Sequence, residues 1–314
     1  MDEIRLEWEA DNCTWCGCDI YDICFEGPDR LERLPGTFRV VRCIQCGLYR
    51  QNPRLVWNAL QKYYPEEYKA YTYRDEKTRS WKQYIDNYGN YKRYKAISQY
   101  INRGRILDVG CGTGGFIQEL IRSRNWVVMG IEPNQKAAEF AQKKTDATIF
   151  PGRFSDVDFE PGSFDAIVLW TVLEHLDQPI KDLRYAHGLL KKNGWLFFSI
   201  PNVESLNLKI FKKYWSGWDL PRHLHIFPRN TLHEILNQIG FSIVDERCLS
   251  TSYQALGHNL EFWSQVWEGK YPRLKKISHA IYYSWFMRMI FLVPLAILDR
   301  LNLTDTITYF VQKR

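Results

Sequence analysis

The feature that most constrains this chain is a glycine-rich turn between an apolar run and a helical pattern. Ile106 to Val109 is typical of a buried strand, and Gly110, Gly112 and Gly115 follow it before an amphipathic stretch begins. Glycines at such a turn let the backbone approach a ligand that any Cβ would hold away. The pattern therefore predicts an α/β fold with a nucleotide-like ligand bound where the strand ends.

An acidic residue after the next strand adds to this prediction. Val127 to Ile131 is a second apolar run, and Glu132 follows it, 22 residues after Gly110. A carboxylate at this place suits the hydroxyl pair of a ribose. The glycines also satisfy the dinucleotide pattern, but Asp108 would be a poor neighbour for a pyrophosphate. It would suit water or the ammonium group of a zwitterionic cofactor.

Further landmarks follow in a definite order. A predicted fourth strand, Phe164 to Trp170, leads into Glu174-His175, and a fifth strand after Gly194 ends near Ile200. From about residue 105 to 249, this series resembles the class I S-adenosylmethionine-dependent methyltransferases. The resemblance implies a Rossmann-like α/β fold with a seven-stranded sheet, parallel except for its antiparallel last strand. An unrelated α/β domain with a glycine turn is the alternative.

The resemblance also implies which residues hold the cofactor, S-adenosyl-L-methionine. The glycine turn would face the methionine end, and Glu132 would hold the ribose. Adenine is expected beside Phe154 or Asp156, because Arg153 stands where relatives often have an acidic residue. The implied cofactor-binding residues are Asp108, Gly110, Cys111, Gly112, Gly114, Glu132, Phe154 and Trp170.

Candidates for the acceptor side lie in loops after later strands, where open α/β sheets bind ligands. His175 resembles a histidine that several small-molecule methyltransferases keep near the acceptor; a helix-start histidine bonded to backbone is the alternative. A loop after Pro201 is rich in aromatic and histidine side chains, which suit stacking and proton transfer. The catalytic candidates are His223 as general base, His175 and His225, and the substrate-binding candidates are Tyr214, Trp215, Trp218 and Arg222.

Two C-x2-C-G units precede the glycine turn. Each tight turn can present two sulfurs to one ion, and four thiolates in a tetrahedron are preferred by structural Zn2+. The start of the chain shows no secretory signal, which favours metal-bound or free thiols over disulfides. Unligated thiols and a redox pair are the alternatives, and Cys18 or Cys24 could replace a ligand. The predicted metal ligands are Cys13, Cys16, Cys43 and Cys46.

The remaining sequence suggests a division of the chain into five parts. We expect a zinc ribbon (1–52), a helical cap (53–103), the core (104–251), an apolar helical insertion between strands six and seven (252–303) and the last strand (304–314). Predicted helices cover about 55–64 and 79–101, and strands six and seven about 241–249 and 306–311. Tyrosines of the cap are candidates to cover the cofactor: Tyr64, Tyr68, Tyr71 and Tyr73.

The insertion contains an apolar and aromatic run from Ile277 to Leu298, preceded by Lys270, Arg273, Lys275 and Lys276. Three interpretations compete: buried or dimer-forming helices, an interfacial membrane anchor with a basic flank, and a true membrane span. A single crossing would leave the last strand on the wrong side of the membrane. This consequence argues against the span.

Together these features predict methyl transfer to a small-molecule, sugar or lipid-linked acceptor in the cytoplasm or at the inner face of a membrane. The zinc module, the tryptophan-rich loop and the insertion resemble methyltransferases of bacterial polysaccharide and lipid pathways. Ribosomal RNA methyltransferases with a four-cysteine module are the alternative, and a net charge of +6 suits anionic partners of either kind. The ribbon's arginines are offset by acidic residues, which disfavours RNA. A non-catalytic binding protein is a third interpretation.

Overall fold

The computed structural model describes residues 6–65, 68, 81–249, 253–267, 269–271, 273, 277–278 and 284–314. Its amino-terminal part, which we call the ribbon, consists of short strands joined by turns. The strand that leads into the second cysteine pair forms an antiparallel hairpin with the preceding strand. The ribbon strands are β1 (Trp8–Glu9), β2 (Tyr21–Gly27), β3 (Phe38–Cys43), β4 (Tyr49–Gln51) and β5 (Arg54–Leu55).

A helical segment connects the ribbon to the core. α1 (Trp57–Leu60) continues into a 3-10 turn (Gln61–Tyr63), and α2 (Trp81–Ile97) follows. Both helices lie within the predicted ranges, although α1 is shorter than expected. The cap candidates Tyr71 and Tyr73 lie outside the described residues.

The core is a seven-stranded sheet, and the predicted Rossmann-like order is confirmed. The strand order is β12-β13-β10-β9-β6-β7-β8, with β13 antiparallel to both of its neighbours. β9 is apolar and buried along nearly its whole length, as expected of a central parallel strand that is covered on both faces. The strands are β6 (Gly104–Val109), β7 (Trp126–Glu132), β8 (Thr148–Pro151), β9 (Phe164–Trp170), β10 (Leu190–Pro201), β12 (Phe241–Arg247) and β13 (Thr306–Lys313).

Helices connect these strands and cover the sheet. α4 begins at Asn134, whose side chain accepts a hydrogen bond from the Ala137 amide at 3.0 Å. α7 ends at Gly240, a left-handed position with φ of 109° that favours glycine. The helices are α3 (Gly115–Arg122), α4 (Gln135–Lys144), α5 (Pro179–Leu189), α6 (Leu206–Phe211) and α7 (Arg229–Ile239).

The ribbon and the core share a sheet. The short strand β11 (His225–Ile226) comes from the loop after β10, and it pairs with β4 to give the order β11-β4-β3-β2. Apolar residues of the two parts pack together, because Cys13, Cys43 and Leu48 belong to the same buried cluster as the core residue Phe227. The loop that carries the predicted catalytic histidines is thus attached directly to the ribbon.

The predicted insertion between β12 and β13 is helical where it is described. It contains α8 (Tyr253–Gln265) and α9 (Trp285–Arg300), and α9 has Pro294 inside it. No described helix combines the length and apolarity that a membrane crossing requires. The basic residues Lys275 and Lys276 lie outside the described residues.

Candidate functional site

A large cavity lies where β6, β7, β9 and β10 end. It has a volume of about 1410 Å³ and is also walled by residues of α2 and α8. One end, which we call the glycine end, contains the glycine turn and Glu132. The other, the histidine end, contains Glu174, His175 and His223. The cavity therefore joins the predicted cofactor site to part of the predicted acceptor site.

Glu132 is held in place by backbone hydrogen bonds at the glycine end. Its carboxylate accepts hydrogen bonds from the backbone amides of Gly112 at 2.8 Å and Asn134 at 2.9 Å. These bonds fix a buried carboxylate at the end of β7. Glu132 also lines the cavity, and a carboxylate at that place is an acceptor group that hydroxyl groups can bind.

The glycines of the turn have different roles. Gly112 has a φ of +54°, and a Cβ added there would meet no atom within 4 Å, although the residue lies on the cavity wall. A Cβ on Gly110 would come within 2.5 Å of Val172. Gly110 is thus required by packing, whereas Gly112 leaves open space that a ligand could fill.

Gly114 corrects one predicted cofactor contact. It does not line the cavity, and a Cβ there would lie 3.2 Å from both Ala141 and Thr145. Its φ of +75° places it at the start of α3. Gly114 therefore allows α4 to pack against the turn, and it has no direct position for holding a cofactor.

Charge at the glycine end centres on Asp108. This side chain is buried, and burial together with Glu132 raises its pKa to about 8, partly offset by the positive charge of Arg93. Arg93 also lies over the Trp170 ring, 5.3 Å from its centroid. The indole nitrogen of Trp170 is buried and has no hydrogen-bond partner among the described residues. Arg93 was not predicted to belong to the site, because no motif in its helix distinguishes this arginine from its neighbours.

The cavity wall includes one of the two residues expected beside adenine. Phe154 is buried, lines the cavity and packs against Tyr185 with ring centroids 5.0 Å apart. Arg153 also lines it and forms ion pairs with Asp156 and Asp177 at 3.2 and 3.3 Å. Asp156, the other adenine candidate, does not line the cavity.

At the histidine end, three titratable side chains come together. One polar side-chain atom from each of Glu174, His175 and His223 lies within 4.8 Å of one from each of the others. Both oxygens of Glu174 are buried without a hydrogen-bond partner in the described part of the chain. Burial raises the pKa of Glu174 to about 8, and Asp219 contributes to the increase.

Both histidines of this group have a ring nitrogen tied to the protein. His175 Nδ1 lies 3.0 Å from the Arg222 carbonyl and 3.0 Å from the Tyr64 hydroxyl. His223 Nδ1 donates to the Gly217 carbonyl at 2.8 Å, since a carbonyl oxygen can only accept. Burial lowers the pKa of both rings, that of His175 to about 3. When the His223 ring is neutral with its proton on Nδ1, its lone pair is on Nε2, which lies 3.9 Å from Asp219.

The cap tyrosines that are described lie near these histidines. Tyr64 and Tyr68 both line the cavity, and their rings contact each other edge to face with centroids 5.3 Å apart. Because Tyr64 bonds His175, the pair covers the histidine end.

The three aromatic acceptor candidates, Tyr214, Trp215 and Trp218, lie away from the cavity wall. Trp215 and Trp218 are buried in the apolar cluster between the ribbon and the loop, and neither lines the cavity. The Trp215 indole donates to Asp305, and that of Trp218 donates to the Lys212 carbonyl at 3.0 Å. Tyr214 also lies off the cavity wall, with Arg30 4.8 Å above its ring. These aromatic residues are corrected from substrate contact to packing, because together they fill the core of the loop.

His225 and Arg222 need the same correction. His225 belongs to β11, bonds the Leu176 carbonyl at 3.1 Å and does not line the cavity. Burial and the charge of Arg54 lower its pKa to about 3. Arg222 is fully buried and bonds Asp29 of the ribbon at 2.7 Å and Asp219 of its own loop at 2.7 Å. Arg222 therefore supports the loop that carries His223.

The four predicted cysteines form one cluster in the ribbon. Their sulfurs lie within 4.8 Å of one another, with Cys13 and Cys46 3.4 Å apart and Cys16 and Cys43 3.5 Å apart. A glycine amide closes each turn. The Gly17 amide donates to the Cys13 carbonyl at 2.9 Å, and the Gly47 amide donates to the Cys43 carbonyl at 3.0 Å. The two candidate replacements, Cys18 and Cys24, bond backbone carbonyls instead.

Comparison with known proteins agrees with this architecture. The methyltransferase domain family matches residues 68–246, more than half of the chain. The chain belongs to this family. The matched residues include the glycine turn, Asp108 near the end of β6 and Glu132 at the end of β7. The match confirms the family that the order of landmarks predicted.

Two relatives of this methyltransferase domain share about a third of their residues with it over the aligned part. The chain is 36% identical over 133 residues to the ubiquinone biosynthesis O-methyltransferase of Chromobacterium violaceum, with 40% of this chain and 57% of the relative covered. The same enzyme of Albidiferax ferrireducens is 33% identical over 153 residues, with 46% and 58% covered. The chain thus spans less than two thirds of these relatives.

One solved structure shares the fold. The [4+2]-cyclase SpnF superposes with a TM-score of 0.50 at 18% identity, covering 76% of this chain and 84% of that one. At this identity the likeness concerns the fold alone.

Proposed function

We propose that this chain binds S-adenosylmethionine at the glycine end of the cavity and methylates a hydroxyl group of a small molecule at the histidine end. The observation that carries the proposal is the single cavity that connects the two ends. The names of the two O-methyltransferase relatives support the acceptor chemistry.

The residues of the glycine end fit this cofactor. Gly112 leaves room for a ligand against the backbone, and Glu132 has acceptor capacity for the ribose hydroxyls. Trp170 and Asp108 complete the wall beside the turn. When bound, the cofactor supplies a methyl group on a positively charged sulfur.

The residues of the histidine end fit a proton acceptor. A hydroxyl group that gains a methyl group must lose its proton. We propose that the lone pair on His223 Nε2 accepts this proton, because His223 Nδ1 donates to the Gly217 carbonyl. Asp219, whose pKa is held low chiefly by Arg222 against the effect of burial, remains negative beside the ring. Its charge stabilises the imidazolium that forms.

We also propose that the cysteine cluster holds one structural Zn2+. Zinc–sulfur bonds of about 2.3 Å in a tetrahedron place sulfurs about 3.8 Å apart, close to the spacing in the ribbon. Four protein ligands leave no position for a substrate. The ion would therefore stabilise the ribbon and, through β4 and β11, the loop of His223.

Cofactor binding tests the first part of this proposal. Gly112→Leu fills the open space at the turn, so we expect calorimetry to show loss of S-adenosylmethionine affinity by about 100-fold or more. Gly162→Leu is the matched control, because Gly162 has a φ of +65°, no atom within 4 Å of an added Cβ, and no place on the cavity wall. Equal affinity in the two variants would refute the assignment of the glycine end.

The acceptor half needs a separate measurement. Mass spectrometry of small-molecule extracts incubated with the chain and methyl-labelled cofactor should show a labelled ether. His223→Gln should bind the cofactor normally and form the ether at about a hundredth of the rate or less. Labelled RNA with no labelled small molecule would contradict the proposed acceptor.

A further inference from the structure

The exposed apolar surface of the molecule is concentrated in one segment. More than half of the large apolar side chains that are exposed in the described part of the chain fall between 263 and 301. Six of them follow one side of α9 and its end: Phe286, Met289, Ile290, Val293, Ile297 and Leu301. We call these six residues the α9 stripe.

Helical geometry shows that the α9 stripe is a true face. At about 100° per residue, its members fall within about 120° of the helix circumference. The opposite side packs inward, since Leu295 is buried and Arg288 lies over the Tyr253 ring of α8, 5.2 Å from its centroid. The helix is therefore held by one side and leaves an apolar side uncovered.

Charge identifies what this surface fits. The described residues between 263 and 301 include four basic residues and one acidic residue, Asp299, so they carry a net charge of +3. A second copy of the same face would bring two such charges together, which opposes a symmetric dimer. An anionic lipid surface instead complements both the charge and the apolar stripe.

Aromatic residues on α8 and just after it extend the surface. The rings of Trp263, Trp267 and Tyr271 follow one another with centroids 6.4 and 6.2 Å apart, and all three are exposed. Tryptophan and tyrosine are the residues that favour the headgroup level of a bilayer. We propose that α8 and α9 attach the protein to the surface of an anionic membrane, with α9 lying in the interface.

The attachment places the membrane next to the cavity. Gln254, His258 and Phe262, which recur at helical spacing on α8, line the cavity. Trp263 of the same helix and Val266 just after its end are exposed. Given the proposed function, the acceptor would be an amphiphilic molecule that enters from the lipid surface with its hydroxyl group toward His223.

Vesicle sedimentation with the full chain tests the attachment. We expect binding to vesicles of phosphatidylcholine mixed with phosphatidylglycerol, and much weaker binding to phosphatidylcholine alone. Val293→Glu combined with Phe286→Glu should weaken binding by about tenfold or more, because two buried apolar contacts are lost. Val127→Glu is the matched control, since Val127 of β7 is 63% exposed and Val293 is 65% exposed.

Lys270→Glu tests the contribution of charge without removing an apolar side chain, and it should weaken binding to the anionic vesicles. Added salt should likewise weaken the binding of the unsubstituted protein to these vesicles. Cofactor affinity, measured in the same variants, should not change, so failure of the attachment and failure of the glycine end give different results. Equal vesicle binding by the α9 and Val127 variants would overturn the proposal. The proposal would also be overturned if the unsubstituted protein did not bind vesicles and was a dimer that the Val293→Glu and Phe286→Glu substitutions dissociated into monomers.

Discussion

The glycine end and the histidine end of the cavity differ in how far apart their parts lie in the sequence. The glycine end is made by two adjacent strands and the turn between 108 and 134, joined by short-range bonds such as that from Gly112 to Glu132. The histidine end joins the loop of His223 to Tyr64 and to Asp29 of the ribbon. One end is thus a local structure, and the other depends on long-range contacts.

This difference explains what could be predicted from the sequence. The succession of strands, the turn and the position of Glu132 follow a spacing that is visible in the chain, so the fold of the core was predicted. Gly114 was misassigned, because a glycine needed for packing on α4 has the same sequence signature as one facing a ligand.

The histidine end was predicted only in part. His175 and His223 line the cavity, but the tryptophans beside them fill the core of the loop. Composition cannot separate these two roles, because a stacking platform and a buried core use the same residues. Arg222 presented the same difficulty, since its burial depends on Asp29, 193 residues away in the sequence.

Removal of the proposed zinc ion should have the largest effect. Cys46→Ser removes a ligand, so we expect at least about a 100-fold loss of zinc affinity and a corresponding loss of methyl transfer. Cofactor affinity should change little, because the glycine turn and Glu132 belong to the core and not to the ribbon. Cys18→Ser is the control, as Cys18 lies outside the cluster. Metal analysis and calorimetry decide the outcome, and a Cys46→Ser chain with a full metal content would contradict the site.

Arg222→Met should have the next largest effect. It leaves two buried carboxylates, Asp29 and Asp219, without their cation, which costs about 3–5 kcal/mol of unfolding free energy. Arg39→Met is the control, because its ion pair with Glu26 is exposed and contributes about 0–1 kcal/mol. Urea unfolding gives both values. Similar losses in the two variants would show that the buried pair does not hold the histidine end.

Gln51→Ala should separate the two ends more finely. The Gln51 amide donates to the carbonyls of Pro221 at 2.8 Å and His223 at 2.7 Å, so its loss leaves both acceptors unpaired at a cost of about 1–3 kcal/mol. We expect kcat to fall about tenfold with unchanged cofactor affinity. Gln312→Ala removes a hydrogen bond to the Asn193 carbonyl near the amino-terminal end of β10, away from the cavity, and should leave kcat unchanged. A parallel fall in both variants is the result that the structure excludes.

Glu174→Gln should give the smallest effect, on the pH dependence of stability. The folded chain keeps the Glu174 proton until its pKa of about 8, whereas the unfolded chain loses it near the ordinary value of about 4.5. Because the unfolded state then binds fewer protons, this group makes stability fall as pH rises between these values. The variant should show a weaker decline of Tm from about pH 5 to pH 8. Exposed Glu160→Gln is the control, and an unaltered decline in Glu174→Gln would count against a buried neutral carboxyl.

The pairing of β4 with β11 limits how this protein can diverge. His225 is opposite Arg50 and Ile226 is opposite Tyr49, so one inserted residue in either strand would shift this pairing and turn the side chains of that strand to the opposite face. The amino-terminal module and the loop must therefore change in length together. We expect a chimaera that joins this core to another protein's cysteine module to keep the glycine end and to lose the alignment of His223.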